Sequence, residues 1–316
     1  MKRHFLAAAF AIVIAAAVTA APGEEPKPKP VEATPEPLPV KVQRDILYET
    51  IDKQRLYLDL AMPKEGGPYP CVVMFHGGAW QGGSRKDLSV GSKDKNGKVS
   101  PSVIENVASH GYVVASVGYR LAPKFKFPAQ IEDARAAVRF LRANAKKYDI
   151  EPNEFAAAGF SAGGHLALLL GLADKEKDWN VGNNTNESSC VQCVVDFFGP
   201  TDLSLYSCSP GLEDAYMVPV FGKACKTNPD VFKKASPISY VSKNAPPILM
   251  IHGNFDLIVP IIHSENLLKK LEDAGATAKL ITVNGEGHGW NGRELTRTTN
   301  DAIAFLNKHL KEKGQK

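Results

Sequence analysis

The sequence predicts an α/β domain with a mostly parallel central sheet and helices on both faces. Three observations carry this. Short continuous apolar runs at 71–75 (CVVMF), 193–198 and 248–251 read as strands buried on both faces. Segments with apolar residues at helical spacing fall between them, and alternation of the two argues for parallel strands joined by helices. Finally, residues 154–171 (EFAAAGFSAGGHLALLLG) pass from an apolar strand to an apolar helix through Gly159-Phe160-Ser161-Ala162-Gly163, a G-x-S-x-G turn.

Taken in order, the 316-residue chain opens as a secretory signal would. Lys2, Arg3 and His4 precede an apolar, alanine-rich run, 5–18, and Val18-Thr19-Ala20 offers small residues for cleavage. We expect residues 1–21 to be a signal peptide and the mature protein to be secreted or periplasmic, with no membrane attachment after cleavage. An uncleaved anchor is the alternative, although the run is short for a span. Residues 22–40 are proline-rich and read as a flexible linker. Residues 41–316 are long enough for one large domain.

Within it, 45–62 alternates polar and apolar residues, with Leu56, Leu58 and Leu60 on one face, as one or two antiparallel edge strands would. A turn at 63–70 leads to strand 71–75, which ends in His76-Gly77-Gly78-Ala79-Trp80 and a glycine- and lysine-rich loop, 81–98. Residues 101–110 suit a helix stopped at Gly111, and 112–117 a strand. Ile131, Ala134, Val138 and Leu141 place a helix at 128–147. After the central strand-turn-helix come strand 193–198 and an irregular stretch, 199–239, of the length that often covers a site. Strand 248–251, helix 264–274 ending at Gly275, strand 279–283 and helix 295–310 complete the chain.

The net charge of +4 is spread among interleaved acidic residues, so nucleic acid is not an expected partner. Of five cysteines, Cys71 begins a buried run and reads as a core thiol. Cys190, Cys193, Cys208 and Cys225 lie within 36 residues and allow two bridges in three pairings. Cys190-x-x-Cys193 has no second CxxC or histidine pair beside it, so no metal is expected.

The chemistry converges on Ser161. A serine hydroxyl is a poor nucleophile at neutral pH and needs a base, which in turn needs an acid to orient it. Sites on parallel sheets form at the carboxyl ends of strands. Asp256 follows strand 248–251, and His288 follows strand 279–283 between glycines, in the order Ser, acid, His. Other candidates have simpler readings. Asp202 is expected to cap a helix or steady its loop, and Asp196 to make a buried hydrogen bond. His165 is expected to be structural, His76 and His252 to brace loops, and His263 to lie near a helix start. Backbone N–H groups of Gly77, Gly78 and Ala162 are the candidate oxyanion hole. Trp80, Phe160 and Trp290 are candidate substrate contacts, the two tryptophans being equally readable as packed core.

The stretches HGGAW (76–80), YRLAP (119–123), FPAQIEDARAAVRFLR (127–142), GFSAGG (159–164), FFGPTDL (197–203), HGNFDLIVP (252–260) and GEGHGW (285–290) resemble an α/β-hydrolase esterase. The nearest likeness is to the bacterial feruloyl and acetylxylan esterase-like group, a neighbour of the hormone-sensitive-lipase-like esterases. The resemblance implies Ser161 as nucleophile, Asp256 as acid, His288 as base, and a hole at Gly77, Gly78 and Ala162. Ala79 stands where the lipase-like pattern has a third glycine. The resemblance implies no cofactor and an acyl-ester substrate, acetyl or feruloyl groups on plant-type polysaccharide, with small soluble esters as the runner-up. The C-terminal third also resembles prolyl oligopeptidase-type peptidases, but no propeller domain accompanies it. A non-catalytic binding module of the same fold is a third reading.

Overall fold

The computed structural model describes residues 36–92, 97 and 100–312. The expected signal peptide and most of the proline-rich linker lie outside the described residues. From Pro37 onward the chain forms one compact unit. Eight strands make one sheet in the order β1-β2-β4-β3-β5-β6-β7-β8. These are β1 (Val40–Ile51), β2 (Gln54–Pro63), β3 (Tyr69–Phe75), β4 (Val113–Val117), β5 (Ile150–Phe160), β6 (Cys193–Phe197), β7 (Ile248–Gly253) and β8 (Ala278–Val283). β1 and β2 are antiparallel and β2 meets β4 antiparallel; the remaining pairs are parallel.

The helices follow the crossovers. α1 (Lys86–Ser89) and α2 (Val103–Ala108) precede β4, and α3 (Ala129–Ala143) precedes β5. α4 (Ala162–Leu172) leaves β5 directly. Between β6 and β7 the expected irregular stretch is instead a run of short helical turns: α5 (Pro210–Leu212), α6 (Val218–Phe221) and α7 (Pro229–Ala235), with 3₁₀ and π turns between them. Proline and cysteine there break the apolar period, so the sequence reads as a loop although each turn is locally helical. α8 (Ile262–Asp273) and α9 (Gly292–Leu306) complete the fold.

Two apolar layers sandwich the sheet. Alternate residues of β3 point to opposite layers, with Cys71, Val73 and Phe75 in one and Val72 and Met74 in the other. α4 packs closely because Gly171 lets the helix ride on Val194, where a Cβ would intrude. Cys190 and Cys225 carry free thiols, so the two bridges that the sequence allows are not formed by these residues. The fold separates three of the four cysteines: Cys190 is exposed, Cys225 lies in the layer with α3 and α4, and Cys193 faces the opposite layer.

Charged residues of α3 tie segments together. Arg135, Arg139 and Arg142 recur at helical spacing and donate to carbonyls of Ala173, Val181 and Cys190. On the neighbouring turn, buried Asp133 accepts from the Arg120 backbone N–H (2.7 Å) and from its guanidinium (2.9 Å), joining the loop after β4 to α3. Arg120 also bonds Glu132 at 2.7 Å. Removing one member of such a pair strands the other's charge in the interior. Asp133→Ala is therefore expected to destabilise the fold by about 3–5 kcal/mol, read from the midpoint of a denaturant titration. An unchanged midpoint would show that the pair contributes no net stability.

Candidate active site

The centre of the site is the turn between β5 and α4. Ser161 holds φ 55° and ψ −119°, a region costly for a residue with a side chain. It is held there from both sides. Its N–H donates to Phe197 O at the end of β6 (2.8 Å), and its C=O receives His165 N–H (3.0 Å). A Cβ at Gly159 would overlap the Gly163 carbonyl, and one at Gly163 would overlap the carbonyl oxygen of Phe75 on β3. The two glycines of the motif are thus required by backbone-to-backbone contact, and the turn lifts the serine hydroxyl above the sheet.

The loops after β7 and β8 bring two further groups to it. The Ser161 hydroxyl lies 2.8 Å from His288 Nε2, and His288 Nδ1 lies 2.7 Å from Asp256 Oδ2. A carboxylate only accepts, so Nδ1 carries the proton and Nε2 is free to accept one from Ser161. The other Asp256 oxygen accepts the N–H groups of Ile258 and Val259, both at 2.9 Å. Burial alone would raise the Asp256 carboxyl. Hydrogen bonds from His252, His288 and the Val259 N–H outweigh it and hold the group well below the usual carboxylate range. It is therefore an anion throughout the neutral range, facing the imidazole that must gain charge.

His252 braces the acid loop, as the sequence suggested. Its Nε2 donates to Val259 O (2.7 Å) and sits 3.3 Å from Asp256, while Nδ1 accepts from the Ser264 hydroxyl (2.7 Å). His263 accepts the N–H groups of Thr201 (3.2 Å) and Asp202 (3.3 Å), docking the loop after β6 onto α8. Asp202 caps the turn Leu203–Cys208 through the Ser204 N–H, and buried Asp196 accepts the Gly199 N–H (2.9 Å). His165 lies under α4's first turn, where its Nε2 donates to Ala235 O (2.8 Å) and its ring meets Trp80 edge-on.

The loop after β3 also borders the serine and lines the same cleft as His288. The N–H groups of Gly77, Gly78 and Ala162 have no acceptor among the described residues, so three unspent donors border the serine. Gly77 packs so closely that a Cβ would lie 3.2 Å from the Phe160 carbonyl oxygen. Gly78 takes φ 108°, and Ala79 and Trp80 follow in the left-handed region at 51° and 58°. Ala79 thus adopts the backbone a third glycine would supply freely. Anchors outside the loop hold this strain: Ala122 N–H donates to Trp80 O (2.8 Å), and the Tyr119 hydroxyl donates to His76 O (2.9 Å) while its ring stacks on His76 at 4.3 Å. These anchoring roles of Tyr119, Arg120 and Asp133 were not read from the sequence, although the YRLAP and IED stretches that supply them stood out in it.

The site opens into a cleft of about 530 Å³ lined by Gln81, Phe160, Phe198, Tyr216, Ile258 and His288. Beside Ser161 and Ala162 it ends in a niche of only about 20 Å³, walled by Trp80, Pro200, Tyr206, Met217 and Val259. Of the expected substrate contacts, Phe160 lines the cleft and Trp80, 3% exposed, is a wall of the niche. Trp290 is packed elsewhere, which corrects the substrate reading. It is 7% exposed, donates to Thr298 Oγ1 (2.9 Å) and meets the Phe198 ring edge-on. Tyr206, Tyr216 and Met217 come from the helical excursion and carry no sequence signal of their own. Among the described residues, no three His, Cys, Asp or Glu side chains converge as metal ligands, and no helix is long and apolar enough to cross a membrane.

Two outcomes follow from this geometry. Asp256→Asn should leave the fold intact by circular dichroism yet lower kcat on an ester substrate by about 10⁴-fold, because the imidazole loses its orienting anion; a loss under tenfold would remove Asp256 from the acid role. Burial lowers His165 and His263 to about 4, whereas each titrates near 6.5 when unfolded. Between those values the unfolded chain binds more protons than the native one. The stability from these two histidines is complete above about pH 6.5 and falls as pH drops towards about 4. Thermal midpoints should decline across that window, and His165→Asn should flatten the decline.

Residues 58–271 match the BD-FAE family. The chain is 32% identical over 279 residues to Esterase LipC of Mycobacterium tuberculosis, an alignment covering 86% of this chain and 66% of that protein. It is similar to a truncated carbohydrate esterase from gut microbiota (TM-score 0.73, 29% identity, 90% of this chain and 99% of the other). It is also similar to a bifunctional GH43-CE protein of Bacteroides eggerthii (TM-score 0.72, 30% identity, 85% of this chain and 38% of the other). It thus spans just under two thirds of LipC and a smaller part of the bifunctional protein. With the matched segment running from β2 into α8 and taking in both Ser161 and Asp256, the chain belongs to the BD-FAE family of α/β-hydrolase esterases.

Proposed function

We propose that this protein is an exported serine carboxylesterase that removes acetyl groups from polysaccharide. The relay from Asp256 through His288 to Ser161 supports ester hydrolysis by an acyl-enzyme. His288 Nε2 takes the Ser161 proton as the oxygen bonds to the ester carbonyl carbon. The carbonyl oxygen becomes an oxyanion facing the free N–H groups of Gly77, Gly78 and Ala162. The C–O bond to the alcohol breaks as His288 returns the proton to the leaving oxygen. Water then gives a proton to His288 and attacks the acyl carbon; the bond to Ser161 Oγ breaks as His288 returns that proton to it, releasing the acid and free serine.

The observation that carries the acyl assignment is the niche beside Ser161. About 20 Å³ accepts a group of roughly one or two heavy atoms. A methyl fits and an aromatic acid does not, so acetyl is favoured over feruloyl. The alcohol must then lie in the open cleft, where Gln81, Phe160 and Tyr216 offer an amide and two aromatic rings. The likeness to a carbohydrate esterase supports a sugar alcohol. The signal-like N-terminus supports a substrate outside the cell, since polysaccharide does not enter it.

The test compares acetylated and feruloylated xylan, with Ser161→Ala as control. Acetate release absent from the control is the expected result. Ferulate release at similar kcat/KM would overturn the acyl assignment. Hydrolysis of small acetyl esters with none of xylan would overturn the polysaccharide assignment. Met217→Ala, which deepens the niche, should raise the butyryl-to-acetyl ratio of kcat/KM by about tenfold; an unchanged ratio would mean the acyl group sits elsewhere.

A further inference from the structure

A second cleft, of about 420 Å³, lies across the 76–85 loop from the catalytic one, with His76 among its lining residues. Four cations border it: Arg55, Arg85, Arg120 and Lys124. Two of them are neutralised. Arg85 pairs with Asp45 and Asp59, and Arg120 with Asp52, Glu132 and Asp133. Arg55 and Lys124, both exposed, have no carboxylate partner among the described residues. Each instead rests over an aromatic ring, Arg55 at 5.4 Å from Tyr57 and Lys124 at 4.9 Å from Phe125. A cation held by a ring face is positioned without spending its N–H donors. The cleft therefore combines two oriented, uncompensated cations with two aromatic side chains.

That combination selects a ligand. The charges call for an anion, and a planar guanidinium grips a carboxylate, like a phosphate, with two parallel bonds; a ring-sized cleft favours the carboxylate that a sugar ring carries. The volume is in the range of small-molecule sites and far exceeds what an inorganic ion fills. Arg85 also lies over Tyr57 and Arg120 over Phe125, so the apolar surface for the C–H faces of a ring comes from Leu56, Leu121 and Ala122 in the same lining. We infer that this cleft binds a hexuronate residue of a glycan. The anion assignment stands on the cleft alone, and the glycan rests on the polysaccharide reading above. Gly77 and Gly78 of the shared loop border the catalytic cleft, so one chain crossing the loop presents an acetylated sugar to Ser161 while a uronate sits beside Arg55 and Lys124.

The test uses full-length Ser161→Ala protein in isothermal titration. The probes are a glucuronate-bearing xylo-oligosaccharide, its neutral counterpart, and inorganic phosphate. The uronate probe is expected to bind at least about tenfold more tightly than the neutral one, and Arg55→Gln with Lys124→Gln together should abolish that preference. In the Ser161 enzyme the same double variant should lower kcat/KM on acetylated glucuronoxylan by about tenfold while leaving hydrolysis of 4-nitrophenyl acetate unchanged. Equal binding of the two oligosaccharides, a preference surviving the double variant, or phosphate binding as tightly as uronate would overturn the inference. Titration decides the cleft and acetate release decides the reaction, so uronate binding without deacetylation of any glycan would defeat the functional reading alone.

Discussion

The left-handed backbone of Ser161 is the constraint on which the site depends. Nothing local favours it, since a serine at φ 55° is strained wherever it occurs. It persists because three strands meet around it. Gly163 touches the end of β3, and the Ser161 N–H is taken by the end of β6. Phe75 is paired with Gly159, and Phe160 with Phe197, so the sheet register sets how far the turn projects. The loops after β3 and β6 therefore leave the sheet beside the nucleophile, and those after β7 and β8 reach it from the next positions in the strand order.

Charge is arranged in two ways around this point. At the acid, one carboxylate receives two backbone N–H groups and a proton-bearing imidazole, with His252 tightening the same loop. Those bonds orient His288 and keep Asp256 ionised despite burial. Beneath the oxyanion loop the charges are structural. Asp59 binds Arg85 and Ser89, and Asp133 binds Arg120. These pairs hold a loop with three successive left-handed residues, Gly78 to Trp80, in place. The N–H donors can then meet developing charge without rearranging, which is the condition for electrostatic catalysis.

The two sides of the nucleophile differ in shape. On one side the helical excursion folds back, and Tyr206 and Met217 close a niche against Trp80. A bond from Gln81 Nε2 to Ala215 O (2.9 Å) ties the excursion to the oxyanion loop. The adjoining cleft, which Ala215 and Tyr216 of the same excursion also line, stays far wider. On the function proposed above, a site narrow for one ester substituent and open for the other would discriminate acyl groups by size while tolerating a long alcohol.

Much of this was legible in the chain. The strand-turn-helix around Ser161, and the positions of Asp256 and His288 just beyond strands, follow from period and turn chemistry, which are local properties. The α/β class and the order of strands and helices follow from the same patterns, and His252 as a loop brace and Asp202 as a cap follow from their places beside turns. Other features were decided only by the tertiary structure. Trp290 looks the same in sequence whether it faces substrate or Thr298; burial against Phe198 and Thr298 settled it. Cys193 and Cys225 were close in sequence but divided by the sheet. Tyr206 and Met217 became niche walls only because residues 199–239 fold back over the serine. The chain by itself thus determined which groups stand at strand ends, because that depends on neighbours a few residues away. Which of them converge, and what space remains between them, depends on contacts between segments 32 residues apart at Asp256 and His288 and 127 apart at Ser161 and His288, and the packing of helices on the twisted sheet decided it.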